Sequence, residues 1–144
     1  MDSRAVSRLR TRWGAHVRFL VVYVQEAHTT DGWRLGRVLT TVPQHKTLDD
    51  RLAAARAFVE RFSFEIETCV DSMANHFNNR FAVWPERLVV LRRPSAGAAP
   101  VLAHIQRTDA RGGGALWTDE AEVWLQQEFP VAKGAATTTT SERE

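Results

Sequence analysis

The chain has 144 residues, 44% of them hydrophobic and 25% charged, with a formal net charge of +2. These are ordinary values for a soluble globular protein of one domain, long enough to bury about two-thirds of its unfolded surface, and they imply no polyelectrolyte partner such as nucleic acid. The single cysteine, Cys69, excludes an internal disulfide and any CxxC redox or zinc motif.

Residues 3–13 predict a helix, with Val6, Leu9 and Trp13 on one face and Gly14 able to end it. Arginines 4, 8, 10, 12 and 18 crowd this end. They read as a nucleic-acid patch, a targeting helix or, the preferred reading, the solvated face of a helix. Residues 17–24 form an apolar, β-branched run that suits a parallel strand covered on both faces. A polar loop from 25 to about 46 follows, and Thr47 with Asp49 and Asp50 then marks the start of a helix reaching about Arg61.

Residues 64–70 alternate as a strand, and Asp71 is expected to cap a short helix through Met73, Ala74 and Phe77. Pro85 precedes a strand at 87–91, which returns at 101–105 as a hairpin. Gly112, Gly113 and Gly114 form a loop, Thr118 caps a last helix ending at Phe129, and residues 133–144 read as a disordered tail. Residues 1–132 are thus expected to form one domain. The alternation predicts an α/β sheet, mostly parallel, with one antiparallel edge. No run approaches the roughly 20 apolar residues of a membrane span, and no signal peptide is visible, so a cytoplasmic location is expected.

Glu26 and His28 follow the apolar run, where open α/β sheets place their ligands. In extended backbone such a pair points one way and can share a proton-transfer task; a solvent-exposed loop pair is the alternative that spacing alone favours. Spacing gives no metal motif to Glu26, His28 and His45. Cys69, inside a strand and sharing its face with Glu65 and Glu67, reads as a small buried hydrophobe with an unreactive thiol. Trp33 and Trp117 line an apolar pocket or pack as core and lid, the second being the commoner role.

The stretch VVYVQEAHTTDGW, residues 21–33, resembles the corresponding stretch of the iodothyronine deiodinase family. The similarity continues in order through VPQHKTLDDRLAAA, VDSMAN and PERLVVL, then Arg111-Gly112 and Trp124-Leu125. It covers roughly residues 4–129.

The resemblance implies a thioredoxin-like fold and reductive removal of iodide from an iodinated aromatic ring, with a thiol electron donor as co-substrate and no bound cofactor. It implies that Glu26 and His28 supply and relay the proton. His45 and Arg111 would hold the phenolic end of the substrate, and Asp31, Gly32 and Trp33 would shape the adjoining loop. Pro85 would occupy the cis-proline position of thioredoxin-like folds.

The family's first strand, and the selenocysteine or cysteine beginning its redox helix, have no counterpart in these 144 residues, and Cys69 falls in a different strand. The expectation is therefore a thioredoxin-like fold lacking its first strand and the start of the redox helix. The gap falls between residues 19–24 and the hairpin. Unsatisfied backbone groups there cost about 1–3 kcal/mol each, against a domain stability of about 5–15 kcal/mol. The chain is expected to fold poorly or to borrow a strand. An in-frame UGA or cysteine codon, preceded by an apolar strand, is expected shortly upstream of Met1. Two other readings stay open: a non-catalytic thioredoxin-like binding module, dimeric through its open sheet, and a thiol peroxidase or reductase with another substrate.

Overall fold

The computed structural model describes residues 3–36, 42–84, 86–106 and 116–130. Arg111, Pro85, the glycine run and the tail at 133–144, all singled out above, lie outside the described residues. The elements run α1 (Ser3–Trp13), β1 (Val21–Tyr23), α2 (Leu48–Phe62), β2 (Thr68–Val70), α3 (His76–Phe81), β3 (Val89–Arg92), β4 (Val101–Ile105) and α4 (Leu116–Glu128). Helices and strands alternate as an α/β chain should.

β1 and β2 pair in parallel, with Val22 opposite Cys69, whereas β3 and β4 form an antiparallel hairpin with an irregularity between Val90 and Leu91. Among the described residues these are two separate two-stranded sheets, not the one continuous sheet that the alternation predicts. In a parallel ladder alternate residues turn their backbone groups to opposite edges. Val21 donates to the Glu67 carbonyl at 2.9 Å and Tyr23 accepts from the Asp71 amide at 2.9 Å, so both are committed to β2. Val22, between them, faces the other edge, where no strand of the described residues pairs.

The halves are joined by side chains. Val6, Phe64 and Ile66 form one buried cluster; Leu9, Trp13, Ala121 and Leu125 form a second. Val6, Leu9 and Trp13 recur at helical spacing, so α1 feeds both clusters from one face. Phe19 and Leu88, just ahead of β1 and β3, pack against both clusters. Trp13 is fully buried, and its indole N–H donates to Glu122 at 2.8 Å, which ties α1 to α4.

α2 begins as expected. The Thr47 hydroxyl accepts from the Asp50 amide at 3.1 Å, and the Asp50 carboxylate accepts from the Thr47 amide at 2.9 Å. This reciprocal capping box holds the helix start. Other boundaries differ. The strands expected at 17–24 and 64–70 shrink to three paired residues each, because a ladder extends only as far as both partners run side by side. α3 starts at His76, not beside Asp71, and α4 starts at Leu116, two residues ahead of the expected Thr118 cap. Among the described residues no helix is long and apolar enough to cross a membrane.

Candidate functional site

The end of β1 passes directly into the segment singled out above. β1 stops at Tyr23, so Glu26 and His28 leave extended backbone and find separate partners. The Tyr23 hydroxyl donates to Glu26 Oε1. Burial first, and then the adjoining Glu26 carboxyl, push the Tyr23 phenol well above its ordinary value. It therefore stays a protonated donor. His28 turns the other way: its Nδ1 lies 3.2 Å from the Trp33 carbonyl and its ring meets the Trp33 ring at 4.8 Å, edge to face. No hydrogen bond joins Glu26 to His28, and Trp33 is 67% exposed, so it stands outside any enclosed pocket.

The loop 29–33 closes on itself and on the segment carrying His45. Asp31 Oδ1 accepts from the Gln44 amide at 2.8 Å, and the Thr30 amide donates to the Val42 carbonyl at 2.9 Å. The Gln44 contact is the main reason the Asp31 carboxyl sits below its ordinary range. Gly32 fits because a Cβ there would lie 2.5 Å from Oγ1 of the buried Thr29. Asp31 thereby fixes the residue next to His45.

His45 itself is buried, its ring 5.9 Å from that of Tyr23, and neither ring nitrogen has a hydrogen-bond partner among the described residues. Burial pushes its pKa below the ordinary value and Arg51 adds to that, while Glu26 and Asp50 pull it back up. The imidazole is thus neutral near neutral pH, with one nitrogen free to donate and the other to accept. Glu26, Tyr23 and His45 form one corner at the end of β1. His28 and Trp33 form a second, more exposed flank of the same loop.

Two further residues shape this corner, and spacing did not single them out. Arg51, one turn into α2, is 1% exposed and donates through Nη1 to the carbonyls of Asp71 at 3.1 Å and Ser72 at 2.6 Å. The Asp71 carboxylate accepts from the amides of Ser72 at 2.8 Å, Phe77 at 2.9 Å and Asn78 at 2.9 Å. The available signal was Arg51 at i with Ala54 and Ala55 at i+3 and i+4, a charge placed on the buried face of a helix.

Cys69 is exposed, which corrects its expected burial: its side chain stands on a face of β2 that borders an open groove and not a packed layer. Its thiol is nonetheless raised, first by desolvation and then by Glu67 and Asp71, as an unreactive cysteine requires. It borders an open, mainly apolar groove of about 420 Å³ with Leu52, Ala55, Val59 and Ile66, away from Glu26 and His45. Among the described residues no group of three His, Cys, Asp or Glu side chains is arranged to hold a metal ion.

Comparison with known proteins gives a consistent result. A family model described as iodothyronine deiodinase matches residues 2–97. Thyroxine 5-deiodinase of Sus scrofa is 31% identical over 123 residues, which is 85% of this chain and 37% of that protein. Thyroxine 5-deiodinase of Homo sapiens is 30% identical over 131 residues, 91% of this chain and 40% of that protein. Type II iodothyronine deiodinase of Gallus gallus is 30% identical over 134 residues, 87% of this chain and 43% of that protein. The chain spans about two-fifths of the length of these relatives.

Proposed function

The chain belongs to the iodothyronine deiodinase family, and on that premise we propose that it carries the proton-handling half of a site for reductive removal of iodide from iodothyronine-like aromatic rings. The observation that carries the proposal is the corner at the end of β1. There a carboxyl receiving a phenolic hydrogen bond adjoins a buried imidazole with both nitrogens free.

The chemistry balances as follows. A selenolate or thiolate takes iodine from the ring, forming a selenium–iodine or sulfur–iodine bond, while the carbon–iodine electron pair stays on the ring carbon and is protonated. One thiol then displaces iodide, giving a mixed selenyl sulfide or disulfide. A second thiol releases the nucleophile and leaves as a disulfide. In total one aryl iodide and two thiols give one arene, one disulfide, iodide and a proton. Glu26 delivers the proton to the ring carbon, and His28, on the neighbouring flank, serves the relay through an intervening water. His45 binds the phenolic end, helped by Arg111, and Trp33 offers a face for an aromatic ring.

The nucleophile is not among the 144 residues, whose one cysteine lies on the far groove. We place it in chain preceding α1, at the start of a helix that follows a strand inserting between β1 and the β3–β4 hairpin to complete a thioredoxin-like sheet. The free edge at Val22 and the side-chain bridge of Phe19 and Leu88 support that position.

The test is iodide release from an iodothyronine, with dithiothreitol as reductant, by a longer chain in which an apolar strand and a selenocysteine or cysteine precede α1. Release is expected, and mutation of that nucleophile abolishes it. Peroxide reduction without iodide release makes the chain a thiol peroxidase relative instead. Iodothyronine binding without turnover makes it a binding module.

A further inference from the structure

Trp13 and Arg51 are the two largest fully buried side chains of the described residues, and only Arg51 carries a charge. Removing a guanidinium from water costs several kcal/mol unless it is well paired. Here Nη1 meets two carbonyl oxygens, Nε has no hydrogen-bond partner, and no carboxylate of the described residues forms an ion pair with the group. A leucine would fill the same face of α2 at lower cost. The charge therefore calls for a role beyond packing.

Its contacts form a closed circuit. The Arg51 amide donates to the Thr47 carbonyl at 3.3 Å, two residues beyond His45. The guanidinium reaches the carbonyls of Asp71 and Ser72 past the end of β2. The Asp71 amide in turn donates to the Tyr23 carbonyl at 2.9 Å, and the Tyr23 hydroxyl donates to Glu26. The circuit closes where the Tyr23 ring meets the His45 ring. We propose that Arg51 is a positioning residue that clamps the His45 segment and the first turn of α2 to the ends of β1 and β2, holding His45 against the Tyr23–Glu26 pair.

The charge acts on the same corner. Tyr23 and Glu26 face His45 from the end of β1, and Asp50 and Arg51 face it from α2. Glu26 and Asp50 favour imidazolium. Burial opposes it first, and the Arg51 charge adds to burial. The clamp rests on reading this corner as the site, but its test reads the imidazole and not turnover, so the two fail separately.

The test is an NMR titration of the His45 ring in the full 144-residue chain, comparing wild type with Arg51→Met and Arg51→Lys. Wild-type His45 is expected to titrate below the ordinary histidine value of about 6.5. Arg51→Met moves its midpoint upward, because the two carboxylates are then opposed by burial alone. Arg51→Lys, which keeps the charge, stays close to wild type. A purely structural side chain predicts no such split between methionine and lysine. A folded Arg51→Met with an unmoved midpoint overturns the proposal, as does Arg51→Lys moving as far as methionine. Should Arg51→Met not fold, the wild-type titration decides: a midpoint at or above the ordinary value overturns the clamp's electrostatic role.

Discussion

Asp71 organises three backbone amides at once, those of Ser72, Phe77 and Asn78. Burial alone would raise its carboxyl, but these amides, with the Arg51 charge, outweigh burial and hold it below the usual range. A carboxyl lowered in the folded state stabilises above the unfolded value of about 4 and loses that stabilisation as pH falls through its folded value. Asp71→Asn is therefore expected to cost about 1–3 kcal/mol at pH 7 and much less below pH 3, read from urea unfolding at both pH values. An equal loss at both would show that charge plays no part. Gly32 makes a steric prediction at the same scale. Adding a Cβ 2.5 Å from the Thr29 hydroxyl should cost about 1–3 kcal/mol by overpacking in Gly32→Ala, seen in the unfolding midpoint, and shift the Gln44 and His45 amide resonances.

At the scale of elements, α1 carries much of the joining. Its buried face reaches both clusters, and its last turn holds Arg10 and Arg12 at the favourable end of the helix dipole. Trp13→Ala removes the fully buried indole and the bond to Glu122. A loss of about 3–5 kcal/mol is expected, a large part of a domain's stability, so circular dichroism should show extensive unfolding at 37 °C. The helices were readable in sequence because the apolar spacing in α1 and the Thr47–Asp50 box in α2 are local signals. Strand lengths were not, since β1 and β2 end where their mutual ladder ends. The start of α3 was missed for a similar reason: Asp71 reaches the α3 amides across a turn that places Asn75 at φ 55°. The site divides the same way. Glu26, His28 and Trp33 stand in one legible motif, whereas Arg51 meets its partners Asp71 and Ser72 some twenty residues on, and Tyr23 meets the His45 ring only through the fold.

At the scale of the molecule, two half-sheets share a core but, among the described residues, no ladder. The Val22 amide faces the open edge, so in the 144-residue chain it should exchange with solvent quickly, whereas Val21, bonded to Glu67, is protected. In a longer chain that supplies the inserting strand, hydrogen exchange should slow at Val22 while Val21 changes little. Fast exchange at Val22 in both chains would place that strand elsewhere.

The central claim is that Glu26, held by Tyr23 beside His45, delivers the proton that replaces iodine. It is tested most directly by the rate of iodide release in the longer chain with Glu26 and with Glu26→Gln. Positioned proton transfer contributes about 10²–10⁴-fold, so kcat is predicted to fall by at least about a hundredfold with KM little changed. A Glu26→Gln chain that releases iodide at the wild-type rate would contradict the account.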